Sequence, residues 1–375
     1  MPFSSLGLSP ALLKALEDQN FTEPTPIQEI AIPAILNKKD VLGIAKTGSG
    51  KTAGYVLPLL MNLQGAIGVK NRNANVLVLV PTRELAEQVK DVFKLFSQAL
   101  PQPVKTMAVY GGVSINPQMM ALQGINVLVA TPGRLLELAS LNAVNLSGID
   151  ALVLDEADKM LNLGFKDELN KILALLPKKR QNILLSATLS PDIEHIHQVL
   201  LHDPVVIKIE AEEESLDLIK QVAYIVSADK KGPFLRYLIN HHEMKQVLVF
   251  ASSVQQVDAI VNKLRKNDIP AKAIHSKKSQ GARTEALAHF KSGKLRVLVA
   301  TDLMARGIDI DALPFVINYE LPRSPKDYVH RIGRTGRAGV AGDAISLVSQ
   351  DELHHFEVIQ KKMGRQVELI SNNLP

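Results

Sequence analysis

Short, unbroken apolar runs, each followed by a stretch of helical periodicity, constrain this chain more than any other feature. Val76-Leu77-Val78-Leu79-Val80, Val127-Leu128-Val129-Ala130, Ala151-Leu152-Val153-Leu154-Asp155 and Ile183-Leu184-Leu185-Ser186 are rich in Leu and β-branched residues. A strand with one wet face alternates polar and apolar residues. These runs do not alternate, which is the condition of a parallel strand covered on both faces by helices. The pattern restarts after residue 220 with Val247-Leu248-Val249-Phe250, Ala271-Lys272-Ala273-Ile274, Val297-Leu298-Val299-Ala300, Phe315-Val316-Ile317-Asn318 and Ala344-Ile345-Ser346-Leu347-Val348. The chain therefore reads as α/β, with two sheets in tandem. Its 375 residues suit two domains of roughly 150–200 residues each. We place the first at 1–207 and the second at 221–375. The linker is 208–220, where the acidic Glu210-Ala211-Glu212-Glu213-Glu214-Ser215 lacks periodicity. The tail Glu368–Pro375 shows no obvious closing element, which leaves open whether the chain is a piece of something longer.

Composition serves mainly to exclude. With 46% hydrophobic and 22% charged residues the chain is not disordered. No apolar run approaches the roughly 18–20 residues that cross a bilayer, and Met1-Pro2-Phe3-Ser4-Ser5 lacks the features of a signal peptide. The expectation is no membrane and a cytoplasmic, bacterial setting. Absence of cysteine excludes disulfides, thiol catalysis and cysteine-ligated metals. Residues 1–206 carry 18 basic and 18 acidic side chains, whereas 221–375 carry 23 and 15, a net of +8. A polyanionic partner and plain solubility both account for that. Aromatics at 4%, with no Trp, argue against base stacking as the main binding device. His195 and His197 point to different helix faces, and His241-His242 and His354-His355 are adjacent pairs without a third ligand, so they read as surface residues.

Three segments carry chemistry. Ala45-Lys46-Thr47-Gly48-Ser49-Gly50-Lys51-Thr52 follows the apolar Val41-Leu42-Gly43-Ile44 and precedes a helical pattern. Glycines there let backbone N–H groups turn inward around phosphate oxygens, Lys51 reaches the β/γ-phosphates, and the Thr52 hydroxyl is placed for Mg²⁺. The first position is Ala where the usual pattern has Gly; the bland alternative is a glycine-rich strand-to-helix turn. Asp155-Glu156-Ala157-Asp158 ends an apolar run, where ligands of open α/β sheets collect. Asp155 can hold Mg²⁺ there and Glu156 can orient and deprotonate an attacking water. The alternative is a solvated acidic turn. His330-Arg331-Ile332-Gly333-Arg334-Thr335-Gly336-Arg337 crowds three arginines at spacing three. Such crowding suits an anionic phosphoryl group, or else a basic surface turn.

Together these motifs resemble the DEAD-box RNA helicases of superfamily 2, over nearly the whole chain. The other family motifs follow in order: Phe21-Thr22-Glu23-Pro24-Thr25-Pro26-Ile27-Gln28, Pro81-Thr82-Arg83-Glu84-Leu85-Ala86, Gly111-Gly112, Thr131-Pro132-Gly133-Arg134 and Ser186-Ala187-Thr188. In the second half stand Gln280 with Arg283, Ala300-Thr301-Asp302 and Ala305-Arg306-Gly307-Ile308-Asp309. Asn20 stands where the family commonly has Gly. The resemblance implies two tandem RecA-like domains, with ATP and Mg²⁺ bound through Thr47, Gly48, Ser49, Gly50, Lys51, Thr52 and Asp155. Gln28 would read the adenine amide edge while Phe21 packs on the ring. Phe3 would support that pocket or anchor a loose N-terminus. Gly307 and Asp309 would contact the nucleotide, Arg334 and Arg337 would be the arginine fingers, and Arg331 would tie that motif to its neighbours. Ser186 and Thr188 would hydrogen-bond to Asp158 and His330, coupling nucleotide state to closure.

The same resemblance assigns Arg83, Gly111, Gly112, Thr131, Arg134, Gln280, Arg283 and Thr301 to the RNA backbone. Contacts of that kind position a strand without reading its bases, so binding should be nearly sequence-independent and salt-sensitive. The implied activity is RNA-stimulated ATP hydrolysis by a monomeric core, with local, non-processive unwinding or remodelling of RNA–protein complexes, and protein partners supplying targeting. An ATP-gated RNA clamp or annealing factor, and a DNA translocase on the same core, are the competing readings.

Overall fold

The computed structural model describes residues 1–46, 48–64, 74–209, 216–302, 313–336 and 340–371, and the side chain of Gln280 stands outside the described set. The chain divides into two units, Met1–Ala211 and Glu212–Pro375. In the first, strands β1 (Val41–Ile44), β2 (Val76–Leu79), β3 (Thr106–Val109), β4 (Val127–Ala130), β5 (Ala151–Leu154), β6 (Gln181–Ser186) and β7 (Val205–Lys208) form one sheet. Its order is β3-β4-β2-β5-β6-β1-β7, and every neighbouring pair is parallel. The helices are α1 (Pro10–Asp18), α2 (Pro26–Leu36), α3 (Lys51–Leu63), α4 (Arg83–Ser97), α5 (Ile115–Ala121), α6 (Pro132–Ser140), α7 (Ala157–Asn162), α8 (Lys166–Leu175) and α9 (Pro191–Leu200). They cover both faces, giving two cores. Along β2, Val76 and Val78 enter one and Leu77 and Leu79 the other. That double burial is why the run does not alternate.

The second unit contains β8 (Ile219–Ile225), β9 (Val247–Phe250), β10 (Ala271–Ile274), β11 (Val297–Ala300), β12 (Phe315–Asn318), β13 (Gly342–Val348) and β14 (Glu368–Ser371). The order β10-β11-β9-β12-β13-β8-β14 repeats that of the first sheet strand for strand, again all parallel. Helices α10 (Lys231–His241), α11 (Val254–Arg265) and α12 (Gln280–Lys291), with the helices Pro325–Ile332 and Leu353–Met363, pack around it. Serine and threonine side chains at the starts of α4, α9, α11 and α12 accept a backbone N–H and so set where those helices begin.

Two boundaries differ from the sequence reading. Lys208 is the last residue of β7, paired with Ile44, and Ile219 and Lys220 already belong to β8. The stretch between the units' strands is thus 209–218, within which 210–215 lie outside the described residues. The tail also has a closing element: β14 pairs with β8, Leu369 opposite Ala223.

Candidate nucleotide and nucleic-acid site

The candidate residues collect at the C-terminal ends of the strands, as expected of an open parallel sheet. β1 leads into residues 45–50, and α3 starts at Lys51 with left-handed Gly50 before it. Gly48 and Gly50 have φ of 86° and 87°, which L side chains rarely adopt. A Cβ on Gly50 would also stand 2.6 Å from Gln28 Nε2 and 2.7 Å from Thr25 Oγ1. That crowding reflects a clamp: Gln28, 1% exposed, donates from Nε2 to the Gly50 carbonyl at 3.0 Å. Its Oε1 accepts the Thr25 N–H at 3.0 Å. The Gln28 amide, expected to face adenine, therefore also holds the loop. Phe21, 38% exposed, meets Phe96 edge-on at 5.9 Å. Phe3 is buried in the first unit's core.

Lys51 folds back across the loop and donates to the Ala45 carbonyl at 2.5 Å. Burial pushes its pKa down, while Asp155, Glu156 and Asp158 pull it up. A desolvated ammonium turned toward a single carbonyl is well matched to an incoming phosphate. Opposite it, Asp155 follows β5 at 2% exposure, and burial raises its pKa against the pull of Lys51. Glu156 takes a left-handed backbone, φ 52°, and its Oε1 accepts from Lys159 at 2.7 Å. Strained conformations of this kind concentrate at functional turns. Thr52, at the second position of α3, and Asp155 supply only oxygen donors, the set that a hard cation such as Mg²⁺ prefers. Thr47 lies outside the described residues. Ser49 donates to the Lys46 carbonyl at 2.8 Å and closes the loop.

At the end of β6, Thr188 Oγ1 donates to Asp158 Oδ2 at 3.2 Å. Ser186 differs from expectation. Fully buried, it donates to the Thr188 carbonyl at 2.7 Å and accepts the Thr188 N–H at 3.3 Å. Its hydroxyl shapes the turn that presents Thr188, and Asp158 is met by the Thr188 hydroxyl and, at 3.5 Å, by the Ala187 N–H. His330 is an exposed residue of the helix Pro325–Ile332.

The nucleic-acid candidates of the first unit occupy the other half of the same sheet edge, after β2, β3 and β4. Arg83 opens α4, and its guanidinium packs so closely on Gly112 (φ 77°) that a Cβ there would lie 2.5 Å from Nη1. Arg134, on α6, donates from Nη2 to the Val113 carbonyl at 2.8 Å and pairs with Glu137. Two arginines from different helices thus hold the Gly111–Val113 turn beside buried Thr131.

In the second unit, Arg331 is 2% exposed and grips Asp302 in bidentate fashion, Nε to Oδ1 at 2.5 Å and Nη2 to Oδ2 at 2.8 Å. Nη1 donates to Asn318 Oδ1 and to the Glu320 carbonyl, and the guanidinium lies 5.0 Å from the Phe250 ring centre. Arg331 ties the strand ends of its unit together, leaving Arg334 two positions beyond the helix. Arg283 is buried and Thr301 half-buried. Gly307, Asp309 and Arg337 lie outside the described residues, as does the Gln280 side chain.

The family model for DEAD/DEAH box helicases matches residues 25–196, and that for the helicase conserved C-terminal domain matches 230–339. The ATP-dependent RNA helicase CshA of Limosilactobacillus reuteri is 40% identical over 363 residues, covering 96% of this chain and 72% of the relative. This chain belongs to the DEAD-box helicases. The Geobacillus kaustophilus DEAD-box ATP-dependent RNA helicase CshA is 39% identical over 97% of the chain and 78% of its own length. Among solved structures, S. cerevisiae Dbp5 bound to RNA and ADP BeF3 matches with TM-score 0.83 and 28% identity, covering 99% of this chain and 96% of that one. The two helix-flanked sheets are the tandem RecA-like domains of a DEAD-box helicase.

Sequence reasoning missed one residue of this helicase's nucleotide corner. Tyr55, one turn beyond Thr52 on α3, is 1% exposed and donates its hydroxyl to Asp155 Oδ2 at 3.0 Å. Burial, then Asp155, raises its pKa well above the usual value. A tyrosine within an apolar helix reads as core, and only the spacing of three from Thr52 hinted at more.

Proposed function

We propose that this DEAD-box protein is an RNA-stimulated ATPase that separates short RNA duplexes locally and non-processively or remodels RNA–protein complexes. The observation that supports this most is the meeting of the buried Lys51 ammonium and the Asp155–Glu156 turn at the ends of β1 and β5, two strands of one sheet with β6 between them. Gly48, Ser49, Gly50 and Lys51, with Thr47, would cradle the ATP phosphates, and Thr52 with Asp155 would hold Mg²⁺. Bound there, a divalent cation would supply neutralisation of the phosphate charge. Glu156 orients the attacking water and accepts its proton. Arg334 and Arg337 stabilise negative charge on the γ-phosphoryl group, while Gln28 and Phe21 select adenine and Gly307 and Asp309 contact the nucleotide. Arg83, Gly111, Gly112, Thr131 and Arg134, with Gln280, Arg283 and Thr301, hold RNA phosphates and sugars. Closure of the two units couples the activities through Asp158, Thr188, Ser186 and His330.

In this reading the protein acts as a cytoplasmic monomeric core, with protein partners directing it to its RNA. Among the described residues no helix is long and apolar enough to cross a membrane. The test is ATP hydrolysis with and without single-stranded RNA, with DNA of equal length as the control and Glu156→Gln as the blank. Strong stimulation by RNA alone supports the reading. Hydrolysis indifferent to RNA, or equally stimulated by DNA, refutes it.

A further inference from the structure

One buried hydroxyl in the nucleotide corner belongs to a residue with no assigned part in the chemistry. The Tyr55 ring is buried in the first unit's core, 6.4 Å from Phe93. Packing alone asks for an apolar ring at this place. A hydroxyl carried into such a site is unfavourable unless it is hydrogen-bonded, and here its partner is a buried carboxylate. It donates to Asp155 Oδ2 at 3.0 Å. Thr52 and Tyr55 share a face of α3, one turn apart, while Asp155 arrives from the end of β5. One buried hydroxyl, a turn along α3 from Thr52, is therefore bonded to the carboxylate that would join Thr52 in holding the cation.

We propose that Tyr55 is a positioning residue for the divalent cation that accompanies ATP. Its hydroxyl engages Asp155 Oδ2 and so fixes the plane of the carboxylate that would help hold the cation. This rests on the reading of Thr52 and Asp155 as the cation-holding pair. Without the hydroxyl the Asp155 side chain gains rotational freedom, and the entropy of fixing it falls on cation binding. Removing a group that orients metal ligands typically lowers metal affinity about 10–100-fold.

The experiment is a titration of Mg²⁺ into Tyr55→Phe and wild-type protein with a fluorescent ATP analogue, read as nucleotide affinity rather than turnover. In EDTA the two proteins should bind the nucleotide alike. The Mg²⁺ concentration giving half of the affinity gain should be roughly 10-fold higher in Tyr55→Phe. A double-mutant cycle with Asp155→Asn separates positioning from packing: in the Asp155→Asn background, Tyr55→Phe should change the Mg²⁺ dependence no further. Mg²⁺ curves that superimpose for Tyr55→Phe and wild type, or equal shifts in both backgrounds, overturn the proposal. A wild type whose nucleotide affinity ignores Mg²⁺ overturns the cation-site reading itself, and with it the role of Tyr55.

Discussion

The two units share one strand order, yet they treat the same corner in opposite ways. Lys51 is the first residue of α3 after β1, and Lys231 is the first residue of α10 after β8, the corresponding strand. Both lysines are buried, at 7% and 4% exposure. Lys51 faces a glycine loop and a carbonyl, whereas Lys231 is closed by Glu352 Oε2 at 2.7 Å. That carboxylate is itself fastened by the Ser349 N–H and hydroxyl. Counting from the strand ends, Tyr319 stands where Asp155 stands and Glu320 where Glu156 stands. Tyr319 lies over Gly232, the counterpart of Thr52, and Glu320 accepts the Ser252 N–H at 2.7 Å. A buried ammonium needs an anion. The second unit supplies one in direct contact from its own chain, whereas in the first the ammonium is turned to the Ala45 carbonyl, with the charges of Asp155, Glu156 and Asp158 acting on it from nearby. The fold thus delivers a lysine to the head of a helix, and the surroundings decide what that lysine faces.

The sharpest test pairs the two glutamates. Glu156→Gln should lower the hydrolysis rate about 10²–10⁴-fold, the usual weight of a positioned base. Glu320→Gln should leave it within about twofold, because a neutral amide still accepts the Ser252 N–H. Equal losses in a steady-state assay would break the comparison. Next are the lysines. Lys51→Ala should weaken ATP binding roughly 10–100-fold, the weight of a hydrogen bond to a charged group, as measured by calorimetry. Lys231→Met should leave that affinity unchanged and lower stability to urea by about 1–3 kcal/mol, the penalty of leaving a buried partner unsatisfied.

How much of this was legible in the sequence depended on burial. β2, β4, β5, β9, β11 and β12 were readable because both faces are covered and the runs are unbroken. β8 reads Ile-Lys-Gln-Val-Ala-Tyr-Ile and buries only Ile219 and Ala223; its pairing with β13 and β14 is a long-range property that no local pattern announces. Lys51, Asp155 and Glu156 stood out because their chemistry is concentrated in short motifs. Tyr55, Glu352 and the loop-holding side of Gln28 did not, since each acts on a residue distant in sequence.

Two smaller effects sharpen the contrast. Glu352 has its pKa lowered from 4.5: burial opposes this, but Lys231 and the Ser349 hydrogen bonds prevail. A carboxyl with a depressed folded-state pKa stabilises the fold above its unfolded pKa and loses that contribution as pH falls through the folded value. The stability margin of wild type over Glu352→Gln, measured by thermal unfolding, should therefore be full near neutrality and shrink below pH 4.5. Last, Gly232→Ala should stabilise the protein by about 0.4–1 kcal/mol. The added methyl meets only ordinary contacts, the nearest at 3.7 Å. Gly50→Ala should instead weaken nucleotide binding, since its φ is 87° and Gln28 fills the space.

The hydrogen bond from Gln28 to the Gly50 carbonyl has a consequence for protein engineering. The loop that leads into α3 is braced by the amide of a residue that stands 22 positions before Gly50 and sits on another element. Residues 45–52 are therefore not a portable cassette. Grafted alone into a foreign α/β scaffold, the same eight residues would carry the glycines and the lysine but lose the brace that selects their shape, so α2 must travel with the loop for binding to survive the transfer.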